Sequence, residues 1–313
     1  MKIKFGFQIF IFLILGFSSL SQAQLLSKFQ ADKKWVQSEL KRMKLPSSFI
    51  KEAMTSYQPD SIDTVLKLNL LGFLKPPQHM DLVTPEAVLE SSRFLKENKK
   101  DFEKAQKKYQ VSPDVISALL WIETRHGDNT GQFHIVSVYL NLLQADRAAN
   151  RQLLTTMALE QNKNLKTYSA KELKKKMKER TAKKAAWARE EILALATIHK
   201  KGQLNLKTLK GSYAGAFGLS QFIPSSYRDY AKSMIAGGNP NLMKPKDAIL
   251  SVAHYLSKHG WKNKKMKNKI TALMSYNNSR DYADSILEIS KRVTTGQVST
   301  GKVRTAVNNK DRG

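Results

Sequence analysis

The sequence predicts an all-α protein, and three observations support that prediction. Apolar residues recur one or two helical turns apart, as Phe29, Val36, Leu40 and Met43 show near the start of the chain. No segment has the run of alternating Val, Ile and Thr that is typical of half-buried strands. The hydrophobic fraction of 41% is large enough to form a core, which excludes a mostly disordered chain.

The first 23 residues have the pattern of a secretory signal peptide. Lys2 and Lys4 precede an apolar run from Phe5 to Phe17, and Ser21 and Ala23 are the small residues that a signal peptidase reads. The alternative is an uncleaved membrane anchor, which needs roughly 20 apolar residues, more than this run supplies. We therefore expect an exported, periplasmic protein that is cleaved after Ala23.

Helical patterns continue beyond the leader, interrupted by helix breakers. Breaks are expected at Pro46 and at Pro76-Pro77, and a Gly-rich stretch at 211–218 separates two later helical blocks. The C-terminal segment has few large apolar residues and is predicted to be a basic, disordered tail. The expected boundaries are a signal peptide over 1–23, a helical N-terminal region over 24–108, a main helical domain over 109–290 and the tail over 291–313.

The composition limits both the chemistry and the partners of the chain. The absence of Cys excludes a disulfide scaffold, a thiolate metal site and a Cys nucleophile. Lys and Arg number 53 against 26 Asp and Glu, and the net charge of +27 favours a polyanionic partner. Because an exported chain seldom meets nucleic acid, we expect contact with an anionic wall polymer or a membrane surface, and no nucleic acid.

Two basic segments would provide that contact. The segment 163–189 holds eleven Lys and Arg against two Glu, and 258–269 holds six Lys and no acid. The alternative for each segment is an ordinary solvated helix face.

One carboxylate is expected on the buried face of a helix. Ser112, Pro113 and Asp114 form a strong helix start, and Gly127 is a plausible stop. Glu123 lies four residues after Leu119, within the apolar stripe of that helix. Desolvation and the negative end of the helix dipole would both raise the pKa of its carboxyl group, as a general acid requires. The alternative is that Glu123 pairs with Arg125 or a lysine at the helix rim.

Several motifs together carry a family resemblance. The longest is a 17-residue run from Gly211 to Tyr227, which is highly specific, whereas the short pattern at Glu123 would be weak alone. The chain resembles the lytic murein transglycosylase B family in the following segments: Tyr109–Pro113, Glu123–Gly127, Gly211–Tyr227, Asp247–Tyr255, Gly260-Trp261 and Tyr276–Tyr282.

The resemblance implies that 109–290 is a lysozyme-like domain that cuts peptidoglycan glycan strands. Members of the family cleave the β-1,4 bond from N-acetylmuramic acid to N-acetylglucosamine without adding water, which leaves a 1,6-anhydromuramoyl end. On that mapping Glu123 is the single catalytic acid and base, and neither a cofactor nor a metal is needed. The family's substrate-binding positions correspond to Ser212, Gln221, Phe222, Tyr276, Asn277 and Tyr282.

Two of the departures from the family pattern bear on the candidate site. The loop Ser233–Leu242 has no carboxylate where some members carry an acidic, EF-hand-like loop, so we predict no calcium site. His126 replaces the family's aromatic residue and is interpreted as a rim residue or a pH-sensitive neighbour. Asp128, just beyond the helix stop, is interpreted as a solvated side chain rather than a second catalytic carboxylate.

Three other functions compete with the lyase reaction. The same fold could hydrolyse the bond as a muramidase, which would require a positioned water. A non-catalytic wall-binding protein would use only the basic charge. Nucleic-acid binding has charge in its favour and no readout motif.

Overall fold

A computed structural model describes residues 22–75 and 78–297 and confirms the all-α prediction. The predicted signal peptide lies outside the described residues, apart from its last two positions. Within the described residues the helices are α1 (Gln22–Arg42), α2 (Ser47–Thr55), α3 (Ile62–Leu70), α4 (Pro85–Glu97), α5 (Lys99–Tyr109), α6 (Pro113–Thr124), α7 (Ile135–Leu142), α8 (Ala148–Leu165), α9 (Ala170–Lys200), α10 (Pro224–Tyr230), α11 (Pro245–Lys258), α12 (Met266–Tyr276) and α13 (Arg280–Thr295).

A small antiparallel sheet, which the sequence did not indicate, occurs among the helices. Strands β1 (Phe133–His134) and β2 (Lys210–Gly211) pair with Phe133 opposite Gly211. Two residues per strand are too few to produce a visible alternation of apolar and polar positions. The sheet brings the Gly-rich stretch next to the segment that follows α6.

Helix starts follow the predicted chemistry, with one difference in detail. Pro113 begins α6 as expected, but the side chain of Ser112 makes no capping bond, since its hydroxyl donates to Asn263 Oδ1 at 2.7 Å. In α13 the hydroxyl of Ser279 accepts from the backbone N–H of Tyr282 at 3.2 Å. That cap fixes the first turn of α13, which carries Tyr282.

One hydrophobic core runs through both predicted regions, from Val36 to Ile289. Helix α6 lies inside it, packed against α4 on one side and α13 on another. Ser117 of α6 donates to the carbonyl oxygen of Ser91 in α4 at 2.9 Å. The N-terminal region therefore supports α6 directly.

The C-terminal boundary falls later than predicted. Helix α13 continues to Thr295, five residues into the segment 291–313 that was expected to be disordered, and ends at Gly296 in the left-handed conformation. Residues 298–313 of that tail lie outside the described residues.

None of the helices in the described parts of the chain is long and apolar enough to span a bilayer.

Candidate active site

The last turn of α6 brings the predicted carboxylate to the interior. Glu123 is half-buried, and it follows Leu119, Leu120 and Trp121, which are all buried. Burial raises the pKa of the Glu123 carboxyl group to about 7. Arg125 does not pair with it, because its guanidinium lies 5.6 Å from the centroid of the Trp121 ring and 4.0 Å from Glu86.

Tyr282 is the hydrogen-bond partner of Glu123. Its hydroxyl donates to Glu123 Oε1 at 2.5 Å, and this bond partly offsets the effect of burial on the pKa of Glu123. Burial first, and then the nearby Glu123 carboxyl, raise the pKa of Tyr282 well above its ordinary value. Tyr282 therefore keeps its proton and remains a donor, whichever form Glu123 takes.

A second tyrosine connects this pair to the Gly-rich stretch. The ring of Tyr276 stacks on that of Tyr282, with 6.5 Å between centroids, and its hydroxyl donates to the carbonyl oxygen of Ser220. The hydroxyl of Thr124, next to Glu123, donates to the carbonyl oxygen of Leu219 at 2.9 Å. These two hydrogen bonds hold residues 219–220 next to the Glu123 carboxyl group.

The end of α6 has an uncommon backbone. Arg125, His126 and Gly127 all have positive φ, at 50°, 58° and 112°. The first two are strained, since left-handed backbone costs a side-chain-bearing residue roughly 1–2 kcal/mol. A Cβ at Gly127 would lie 3.3 Å from Leu219 side-chain atoms, so the glycine lets the Gly-rich stretch approach the helix end closely.

The glycines at positions 211, 215 and 218 serve packing within the protein. A Cβ at Gly215, where φ is 89°, would meet the Tyr139 ring at 2.4 Å. A Cβ at Gly211 would meet the carbonyl oxygen of Ala216 at 2.1 Å, and one at Gly218 would meet Leu242 Cβ at 2.5 Å. At each of the three positions a side chain would overlap a neighbouring residue, so glycine is required there.

Three predicted binding residues keep at least part of their side chain at the surface. The hydroxyl of Ser212 accepts from the N–H of Ala216 at 3.2 Å, which closes its own turn. The Gln221 amide donates to the carbonyl oxygens of Thr130 and Gly218 at 3.2 Å and 3.0 Å, at the end of a tight hairpin. Asn277 is exposed, next to Tyr276.

Two other expectations about these residues require correction. Phe222 was expected to bind substrate, but it is only 2% exposed and packs on Tyr255 and Tyr276. Tyr282 was also expected to bind substrate, but it is 1% exposed and its hydroxyl donates to Glu123 instead. An isolated antiparallel β-bridge pairs the backbone of Phe217 with that of Phe222, and the Phe222 side chain faces the core.

His126 is half-buried and packs against interior side chains, which corrects its interpretation as a rim residue. Its ring stacks on Phe94 with 4.1 Å between centroids, and Nε2 donates to the carbonyl oxygen of Ser117 at 2.9 Å. Burial lowers the pKa of His126 to about 4, so the ring is neutral near pH 7. Asp128, by contrast, is exposed, in agreement with the expected solvated side chain.

The loop Ser233–Leu242 is held by a protein carboxylate from outside it. Asp247 is 3% exposed and accepts from the backbone N–H groups of Met234 and Asn241, both at 2.8 Å. No group of three or more His, Cys, Asp or Glu side chains suited to a metal occurs in the described part of the chain.

Sequence reasoning overlooked one residue of the site. The ring of His79 meets that of Tyr282 edge-on at 5.5 Å, and its backbone N–H donates to Asp281. His79 lies outside every motif, so no signal in the sequence pointed to it.

The sequence is similar to a known domain family and to a known protein. A family model described as the transglycosylase SLT domain matches residues 28–271. The membrane-bound lytic murein transglycosylase B of Escherichia coli (strain K12) is 31% identical over 179 residues, which are 57% of this chain. That match spans 40% of the length of the E. coli protein.

Solved structures share the fold at low sequence identity. The E. coli lytic transglycosylase Slt35 in complex with bulgecin A matches with a TM-score of 0.63 and 19% identity, over 86% of this chain and 94% of its own. SltB3 from Pseudomonas aeruginosa in complex with NAG-NAM-pentapeptide matches with a TM-score of 0.62 and 15% identity, over 85% of this chain and 79% of its own.

Proposed function

This chain belongs to the transglycosylase SLT domain family, and on that premise we propose that it is an exported peptidoglycan lytic transglycosylase. It would cleave the β-1,4 bond between N-acetylmuramic acid and N-acetylglucosamine and form 1,6-anhydromuramoyl ends. Glu123 would act first as the acid and then as the base.

The observation that carries the proposal is the half-buried Glu123 carboxyl, whose pKa burial raises to about 7. A group with that pKa holds its proton in part of the molecules near neutral pH and can also release it. The hydroxyl of Tyr282 occupies Oε1, so Oε2 is the oxygen left to carry the proton.

The reaction follows from these two residues and the substrate's own groups. Glu123 gives its proton to the oxygen of the leaving sugar as the bond to C1 breaks. The acetamido oxygen of the substrate stabilises the positive charge at C1, in place of a second carboxylate. The Glu123 carboxylate, stabilised meanwhile by Tyr282, then takes the proton of the C6 hydroxyl as that oxygen closes on C1.

This scheme needs one carboxylate, and the site is built around one. Within the described residues, burial and the Tyr282 hydrogen bond account for the shifted pKa of Glu123, without a contribution from a second acid. Paired carboxylates would be expected to raise one another's pKa.

The sugar-binding residues are proposed from the family motifs and their exposure. Gln221, Tyr276, Ser212 and Asn277 offer amide, hydroxyl and ring surfaces that suit sugar hydroxyl groups and C–H faces. Phe222 would support the ring of Tyr276 from behind.

Export and wall contact are parts of the same proposal. Cleavage after Ala23 would release the chain into the periplasm, where its substrate is found. The basic segments 163–189 and 258–269 would hold it on an anionic wall polymer, with a membrane surface as the alternative.

The mass of the released muropeptides tests the proposed reaction. Purified protein starting at Gln24 is incubated with sacculi, and the products are weighed. Anhydro products, lighter than the hydrated ones by one water, are expected. Hydrated reducing ends would overturn the lyase reaction in favour of a muramidase.

A further inference from the structure

Helix α9 carries three cations that lie over aromatic rings. Lys176 Nζ is 5.0 Å from the centroid of the Tyr168 ring, the Arg180 guanidinium carbon is 4.2 Å from that of Phe73, and Lys184 Nζ is 4.1 Å from that of Trp187. We call these three cations the α9 stripe. Their spacing of four residues places them on one side of the helix, over a length of roughly 12 Å. All three are half-buried.

The α9 stripe has no carboxylate partner in the described residues. Asp146, whose carboxylate accepts from the Thr181 hydroxyl of the same helix at 3.1 Å, pairs with Arg151. Glu172, one turn before Lys176, accepts from the backbone N–H and the hydroxyl of Ser169, where it completes the helix cap.

Half-buried charges without counterions are costly. Burial, followed by the repulsion of Arg180, lowers the pKa of Lys184 to about 8, and burial also lowers the pKa of Arg180. The aromatic rings offset part of this cost through cation–π attraction. An arriving anion would meet three donors that are already positioned and partly desolvated.

The C-terminal end of the α9 stripe is connected to the candidate site through two aromatic side chains. At its C-terminal end the Trp187 ring lies 5.4 Å from that of Tyr139, whose hydroxyl donates to the carbonyl oxygen of Gly215 at 3.0 Å. Gly215 belongs to the same turn as Ser212. Because the cations are recessed among rings, a slender chain reaches them more readily than a flat bilayer does.

We propose that the α9 stripe binds the carboxylates of the peptide stems of peptidoglycan, beside the glycan strand that enters the site. The substrate class rests on the proposed function. The stems are extended chains that carry several carboxylates, and their charges are spread along a length comparable to that of the stripe. The contact would hold the strand without taking part in bond cleavage.

The test is sedimentation of the protein with intact sacculi and with sacculi whose carboxylates have been capped as amides. All proteins carry Glu123→Gln, so that binding is measured without cleavage. The stripe variant is Lys176→Gln, Arg180→Gln and Lys184→Gln, which keeps aliphatic stems over the rings. The matched control is Lys174→Gln, Lys175→Gln and Lys178→Gln, an equal charge change at exposed positions of the same helix.

We expect the stripe variant to bind native sacculi roughly tenfold more weakly, because charge-assisted hydrogen bonds are lost. The control variant should lose less than about threefold, since exposed charges are well screened. On capped sacculi the stripe variant and its parent should bind equally. Thermal melts check folding; if the triple variant is destabilised, Lys176→Gln and Lys184→Gln are measured singly, each with an expected loss of about threefold.

Equal losses in the stripe and control variants would overturn the proposal in favour of a general charge effect. Stripe-dependent binding to phosphatidylglycerol vesicles, with none to sacculi, would overturn it in favour of a membrane. Stripe-dependent binding to sacculi, together with no release of anhydro products by the chain that retains Glu123, would contradict the lyase reaction and leave the stripe assignment supported.

Discussion

At the scale of single residues, the proposed reaction makes its pH dependence a property of the pair of Glu123 and Tyr282. Burial raises the pKa of the Glu123 carboxyl to about 7, while the Tyr282 hydrogen bond lowers it. The first step of the proposed reaction requires the protonated acid. We therefore expect activity to fall as pH rises through about 7, where the proton of Glu123 is lost.

Tyr282→Phe should move that fall to higher pH. Without the hydroxyl the carboxylate loses its donor, so the protonated form is favoured and the pKa of Glu123 rises further. The measurement is the pH dependence of muropeptide release, with Tyr109→Phe as a control away from Glu123. An alkaline limb at the same pH in the parent and Tyr282→Phe would contradict the account.

The sequence was sufficient to place Glu123 but not to place its partners. A helical period and a helix stop are local patterns, so the position of Glu123 near the buried end of α6 could be predicted. The inward turn of Phe222 and the stacking of His126 on Phe94 depend on segments distant in the chain. Composition and spacing carry no information about such contacts.

At the scale of elements, the Gly-rich stretch is shaped by its neighbours in the core. The Gly-rich stretch lies where the sequence predicts it, between α9 and α10. Only the tertiary packing explains why glycine is needed at its three glycine positions. The Tyr139 ring fills the space where Gly215 lacks a side chain, and the Tyr139 hydroxyl donates to the carbonyl oxygen of Gly215.

Gly215→Ala should destabilise the protein by roughly 2 kcal/mol or more, because the added Cβ overlaps the Tyr139 ring and φ is positive. Gly237→Ala is the matched control. Its φ of 71° is also positive, but nothing lies within 4 Å of an added Cβ, so a loss of about 1 kcal/mol is expected. Denaturant unfolding measures both values, and equal losses would show that packing against Tyr139 contributes nothing.

At the scale of the whole molecule, the N-terminal region is part of the structure that supports the site. Local patterns suggested a boundary near Tyr109, whereas the core is continuous across it. Phe94 of α4 stacks on His126 directly beyond α6, and α4 also packs against α13, which carries Tyr282.

A chain restricted to 109–297 should therefore fail to fold cooperatively. Removing α4 would uncover the buried faces of α6 and α13 and leave the strained backbone at His126 without its stacking partner. Thermal unfolding compares this chain with one that begins at Gln24. A sharp transition in the shorter chain, accompanied by muropeptide release, would contradict this expectation.

The central claim, that Glu123 carries the proton in bond cleavage, is tested most directly by the rate at which Glu123→Gln releases muropeptides from sacculi. Glu97→Gln, an exposed glutamate in α4, is the matched control. Loss of the acid should slow release by roughly 10²–10⁴-fold, with the control unchanged and both proteins folded. Release by Glu123→Gln at a rate close to that of the parent would contradict the account.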